Sequence, residues 1–199
     1  MLFDDSDYRS ENHTSDSWGI FGADEAVETL RTHIAKGLIN RSYMFIGPTG
    51  VGKTTLAIRF AQAVFAPRAD NATSPDFENE IAYKIESRTF GDANFIGASA
   101  SSVAGRVKVS DVLKIIHDAM LTPFNSKHRF VVIEADFEGE SGKNATLKFL
   151  EEPPSDTTLI IITDSPSGFP STIRSRCYEI VLRPLPQETL AAILVSEDL

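Results

Sequence analysis

The residues Gly47-Pro48-Thr49-Gly50-Val51-Gly52-Lys53-Thr54 carry the most explicit chemistry in this sequence. They complete a G-x-x-x-x-G-K-[ST] pattern, a phosphate-binding loop. Gly47, Gly50 and Gly52 let the backbone curl until successive N–H groups converge on one anion. The start of the following helix adds partial positive charge. Lys53 is then expected to reach the β- and γ-phosphates of a nucleotide, and the Thr54 hydroxyl to ligate Mg²⁺. Val51 and Thr55 complete the expected phosphate-contacting set. The pattern has this meaning only between a strand and a helix. Tyr43-Met44-Phe45-Ile46 before it is an apolar run of buried-strand type, and Thr55 to Phe65 after it reads as a helix.

Further elements must position this loop. Apolar residues at Ala23, Val27, Leu30 and Ile34 have helical spacing, with Gly37 as a stop. Ala66 to Glu80, with Pro67, Asn71, Pro75 and Asn79, reads as a loop. Ile81 to Ile85 and Phe95 to Gly97 read as short strands, and Ser99 to Gly105 as a loop. Ser110 is placed as an N-cap for a helix with Val112, Leu113, Ile116 and Met120 on one face. Phe130 to Ile133 and Leu159 to Ile162 are continuous apolar runs, the mark of strands covered on both faces. Tyr178 to Leu182 is read as a third buried strand. Lys143 to Leu150 reads as a helix stopped by Pro153-Pro154, and another helix is expected to begin at Gln187. Strands alternating with helices predict an α/β fold with a mostly parallel sheet, helices on both faces and ligands at the carboxyl ends of the strands. The loop, Glu134 and Thr163 fall at such ends.

Bulk properties narrow the function classes. A 199-residue chain with 42% hydrophobic and 24% charged residues is a globular domain with a sizeable core. A net charge of −9 argues against a free-standing nucleic-acid binder, though not against contacts made within a larger assembly. The single Cys177 rules out an internal disulfide or an all-cysteine zinc site, and a reducing cytoplasm is the expected compartment. No apolar run approaches the ~18 residues of a membrane span. The first 17 residues are polar and acidic, expected as a mobile tail and not as a signal peptide. No His pairs with Cys177 in a recognisable catalytic motif, so the thiol is expected to pack as a small hydrophobe.

Three segments go beyond a generic phosphate-loop protein: Val131-Val-Ile-Glu-Ala-Asp136, Asn144-Ala-Thr-Leu-Lys-Phe-Leu-Glu-Glu-Pro-Pro154 and Pro170-Ser-Thr-Ile-Arg-Ser-Arg-Cys177. Together they resemble the AAA+ module of bacterial clamp-loader subunits, the gamma/tau and delta-prime components of DNA polymerase III. Trp18-Gly-Ile-Phe-Gly22 and Lys36 to Tyr43 resemble it as well. The resemblance implies a P-loop NTPase of AAA+ type, a three-layer sandwich with a mostly parallel five-stranded sheet. It leaves out the acidic tail over 1–17 and implies the ATPase domain over 18–184 and the start of a helical lid over 185–199, so that the chain reads as a fragment or a truncated subunit.

The resemblance also assigns roles. Glu134 falls on the catalytic carboxylate, Thr163 on the sensor of the γ-phosphate, with Asp164 taking that role if the register slips. Arg176 is the trans-acting arginine finger, with Arg174 as runner-up, and Ile20 and Phe21 line the adenine pocket. Two departures stand out. Ile133 occupies the position of the magnesium-side Asp; a one-residue shift would give Glu134 that role and leave Ala135 in place of the base. Either way one carboxylate is missing. Ala66 to Phe90 holds no Cys where the family has a zinc module, so no zinc is expected. The expected function is an ATP- and Mg-binding subunit of the DNA polymerase III clamp loader, acting with other subunits in a hetero-oligomeric ring on a sliding clamp and primed DNA, away from membranes. The missing carboxylate favours a delta-prime-like subunit with weak or no hydrolysis. The intact loop favours a gamma/tau-like motor. An independent P-loop phosphotransferase and a nucleotide-free scaffold with a vestigial loop are the other classes considered; the first does not account for Leu150-Glu-Glu-Pro-Pro and Ser175-Arg-Cys, and absence of ATP binding would favour the second.

Overall fold

Segments of five to seven residues, the three central ones built on continuous apolar runs of four, become the strands of one parallel sheet, and amphipathic segments cover it. The computed structural model describes residues 18–39, 41–97, 126–134, 146–147, 149–154, 156–187 and 189–190, together with 110, 114, 117 and 118. The expected acidic tail, the expected loop at Ser99–Gly105, most of the Val109–Met120 segment, Ala135, Asp136 and the expected lid beyond 190 lie outside the described residues.

Helix α1 (Asp24–Ala35) buries Ala26, Val27, Leu30 and His33. Strand β1 (Ser42–Ile46) is buried at every position. Helix α2 (Lys53–Phe65) buries Leu56, Ala57, Phe60 and Ala61. Strand β2 (Ala93–Gly97), strand β3 (Arg129–Glu134) and strand β4 (Thr157–Thr163) follow after helix α3 (Glu80–Glu86). A 3-10 turn (Pro166–Gly168) and the short helix α4 (Ser171–Arg174) lead into strand β5 (Cys177–Val181).

The strand order is β2-β3-β4-β1-β5, and every pair among the described strands is parallel. Successive side chains of a strand face opposite sides, which splits the core in two. Tyr43, Phe45, Phe130, Val132, Ile160 and Ile162 meet α1 and α2 on one face. Met44, Ile46, Val131, Ile133, Leu159 and Ile161 meet Phe149, Leu150 and Ile173 on the other. Positions 146, 147 and 149–151 are helical, so helices lie on both faces and the domain has three layers. The opening segment is pinned to α2 by Trp18, whose ring stacks on Phe60 with centroids 6.3 Å apart and whose Nε1 donates to the Thr73 carbonyl at 3.1 Å. No helix among the described residues is long and apolar enough to cross a membrane.

Two expectations are corrected. Ile81–Ile85 is not a strand but the body of α3. The side chain of Asn79 accepts the Ile81 N–H at 2.9 Å and caps the helix. Glu80 and Lys84, one turn apart, pair at 2.6 Å. The alternation Ile81, Tyr83, Ile85 imitates a strand, yet Ala82 and Ile85 are the buried pair and Tyr83 is exposed. Strand β5 is not buried on both faces: it has one neighbour, β1, and leaves Tyr178 and Val181 exposed. Cys177 packs against the second core, and burial, then the charge of Glu179, pushes its thiol up to about 12.

His128 is buried at the start of β3, with Nε2 2.7 Å from the Thr158 hydroxyl. That hydroxyl donates to the Ile39 carbonyl at 2.6 Å, so it accepts from a neutral, Nε2-protonated imidazole. Burial pushes His128 down from 6.5 to about 4, against the weaker upward pull of Asp156. The unfolded chain therefore binds a proton near pH 6.5 that the folded chain refuses until about pH 4. Stability is lost as pH falls through this window, by an amount on the order of 3 kcal/mol. Urea denaturation between pH 7 and 4.5 should show this slope in the wild type and a shallower one in His128→Gln.

Candidate functional site

The phosphate-binding loop connects the end of β1 to α2. Gly52 caps α2 with φ +94°, a left-handed conformation that a side chain would strain. Gly47 lies so close to the chain leaving β5 that a Cβ would run into the Leu182 carbonyl oxygen. Leu182 in turn donates its N–H to the Ile46 carbonyl at 2.8 Å. Loop and strand exit are thus locked together. The cleft above the loop has a volume of about 300 Å³, lined by Thr49, Gly50, Gly52, Lys53, Thr54, Thr55, Glu134 and Asp164. This is the lower end of ligand-pocket volumes, enough for the phosphate moiety of a nucleotide.

Lys53, the first residue of α2, is only 6% exposed. Its Nζ donates to the carbonyls of Gly47 at 2.5 Å and Pro48 at 2.8 Å and to Oδ1 of Asp164 at 2.6 Å. The Thr49 hydroxyl donates to Oδ2 of Asp164 at 2.5 Å. Hydrogen bonds from Lys53 first and Thr49 second hold the Asp164 carboxyl below the usual carboxylate range.

The period of two along the strands decides which candidates reach this cleft. Glu134 shares its face with Phe130 and Val132, the side of α2, and lines the cleft. Ile133 points the other way and is fully buried in the second core. Thr163 is not among the residues lining this cleft. It shares the face of Leu159 and Ile161, and its buried hydroxyl is spent on the Ser165 carbonyl and the Ser165 N–H, each at 3.1 Å. Asp164, one residue on, takes the side of α2 and lines the cleft. Thr49 is the cleft residue that sequence reasoning missed: it stands at a variable position of the motif, and only its bond to Asp164 marks it.

Thr54 and Thr55 line the cleft beside Lys53. Val51 packs against the first core, and Ile20 approaches to 3.8 Å from where a Cβ on Gly52 would stand. Phe21 follows it, half-buried. Arg176 is not among the residues lining the cleft. It is 40% exposed, donates from Nη1 to the Thr172 carbonyl at 2.9 Å and places Nη2 3.9 Å from Glu151. Arg174 is paired with Glu179 at 2.9 Å.

The family model described as DNA polymerase III, delta subunit matches residues 22–186. The DNA polymerase III subunit gamma/tau of Mycobacterium tuberculosis is 31% identical over 176 residues, 88% of this chain and 30% of the relative. The DNA polymerase III subunit delta' of Bacillus subtilis is 27% identical over 173 residues, 86% of this chain and 51% of the relative. The chain therefore spans 30% to 51% of the length of these two relatives. A DNA polymerase III gamma-subunit-related protein from Thermotoga maritima superimposes with a TM-score of 0.59 at 21% identity, over 86% of this chain and 49% of that one. A RuvB variant from the same organism gives 0.51 at 16% identity, over 89% and 49%. These two structures share the fold, an α/β domain of AAA+ type. The match across 22–186, on a five-stranded parallel sheet whose loop and strand ends meet in one cleft, means that this chain belongs to the DNA polymerase III delta/gamma/tau clamp-loader family.

Proposed function

We propose that this chain is an ATP-binding subunit of the DNA polymerase III clamp loader, of delta-prime kind, with little or no hydrolysis of its own. The observation that carries it is the cleft in which the loop glycines, the Lys53 ammonium and the Thr54 hydroxyl converge with one β3 carboxylate, Glu134. These groups fit a nucleoside triphosphate with its cation. Loop N–H groups and Lys53 are suited to phosphate oxygens. The hydroxyl of Thr54 is a hard oxygen donor of the kind that Mg²⁺ takes, and Glu134 serves as the catalytic carboxylate. When bound, Mg²⁺ neutralises charge on the β- and γ-oxygens. Ile20 and Phe21 flank the base side, and no zinc takes part. Ile133, turned into the core, leaves β3 with a single carboxylate at the cleft, which supports weak hydrolysis.

Arg176 supports a role in trans. It stands outside its own cleft and is exposed, so its guanidinium is suited to a neighbouring subunit's terminal phosphate. The surroundings implied are other clamp-loader subunits in a hetero-oligomeric ring, a sliding clamp and primed DNA, in the cytoplasm. The ATPase domain spans 18–184, with a lid beginning at 185. A gamma/tau-like motor is the second reading, favoured by the intact loop.

Three outcomes test this proposal. Lys53→Ala removes a charge-assisted contact and should weaken ATP binding by roughly tenfold to a hundredfold in isothermal titration. Equal affinities would overturn nucleotide binding through the loop. The isolated chain should turn over ATP well below ~1 s⁻¹, the ordinary enzyme range. A faster rate would replace the delta-prime reading by the motor. Arg176→Ala should leave the chain's own ATP affinity unchanged while DNA- and clamp-stimulated hydrolysis by the reconstituted assembly falls. The reverse pattern would place the arginine's role within its own chain.

A further inference from the structure

Asp164 makes two short contacts with other side chains in the cleft, and phosphate binding by the loop gives it no task. One oxygen sits on the Lys53 ammonium at 2.6 Å and the other on the Thr49 hydroxyl at 2.5 Å. An ammonium and a loop hydroxyl gripping two oxygens of one anion is the contact set that a phosphate would make there. The pairing has a cause. Lys53 is buried, and its two carbonyl partners supply dipoles but no counter-charge. Asp164 supplies the charge, from a side chain that is 52% exposed.

Position adds direction. The N–H groups at the start of α2 would face the inner phosphates of a nucleotide bound at the loop. Asp164 approaches Lys53 from the end of β4, the strand beside β1, and reaches back to Thr49 early in the loop. A diphosphate can therefore engage the helix N-terminus while Asp164 stays on Lys53. A triphosphate must displace the carboxylate or sit against it, anion beside anion.

We propose that Asp164 is a specificity-determining residue of the nucleotide site, a built-in anion on the terminal-phosphate side of the loop that lowers affinity for a triphosphate relative to a diphosphate. This rests on nucleotide binding as proposed above. A divalent cation offsets the repulsion, so the discrimination is greatest without it.

The test is isothermal titration of the full chain with ATP and with ADP, in EDTA and in Mg²⁺. In EDTA, Asp164→Asn should tighten ATP by about tenfold and ADP by less than about threefold, and Mg²⁺ should narrow the gap. Asp164→Ala should move the ratio in the same direction, so the result does not hang on one variant's folding. Asp164→Glu, which keeps the charge, should retain the wild-type ratio. Equal gains for both nucleotides, or weaker ATP binding in Asp164→Asn, would overturn the inference, the latter by making Asp164 a sensor that assists the triphosphate. If wild type and variants bind neither nucleotide, the nucleotide-binding proposal fails and this inference with it. If both nucleotides bind with an unchanged ratio, only this inference fails.

Discussion

A buried ammonium at the positive end of a helix is the constraint around which the rim of this sheet is built. Lys53 opens α2, where the helix dipole is itself positive, and is almost shielded from water. A charge so placed costs several kcal/mol unless the protein answers it. The answer comes from three places: the carbonyls of Gly47 and Pro48 turned inward, the carboxylate of Asp164, and the Thr49 hydroxyl that orients it. Each depends on the strand order. Only with β4 beside β1, and both running the same way, do the loop and Asp164 emerge at the same edge. Gly47 pressed against the Leu182 carbonyl adds β5 to the same assembly.

The loop and the three central strands were legible because a strand covered on both faces must be apolar throughout. That same property hid the side-chain directions. In Phe-Val-Val-Ile and Leu-Ile-Ile-Ile nothing distinguishes one face from the other, so the sequence offered Glu134 and Thr163 as equivalent strand ends. The ring of Phe130 against Phe60 of α2, centroids 5.1 Å apart, breaks the tie: it fixes the face of Phe130 and with it that of Glu134. The parallel register then gives Asp164, not Thr163, the same face. The misread α3 has a different cause. Ile81, Tyr83 and Ile85 fit a period of two while Ala82 and Ile85 fit a helix, and the deciding signals were the Asn79 cap and the Glu80–Lys84 pair.

Two segments that resemble the family, one around Glu151-Glu152-Pro153-Pro154 and one around Ser175-Arg176-Cys177, lie far apart in sequence but meet in space. Arg176 reaches toward Glu151 across 3.9 Å, with both side chains exposed. A pair of this kind contributes roughly 0–1 kcal/mol. It biases the guanidinium without fixing it. Arg174, held closely by Glu179, is the more committed of the two arginines.

Trp18 has a practical consequence. It is the chain's single tryptophan, and its indole is shielded from water against Phe60 on the helix that begins with Lys53. Two residues later, Ile20 abuts the loop at Gly52. Emission from this ring should lie toward the blue when the opening segment is docked and shift to the red when it lifts away. The protein thus carries its own fluorophore at the joint between that segment and the loop, with no second indole to blur the signal.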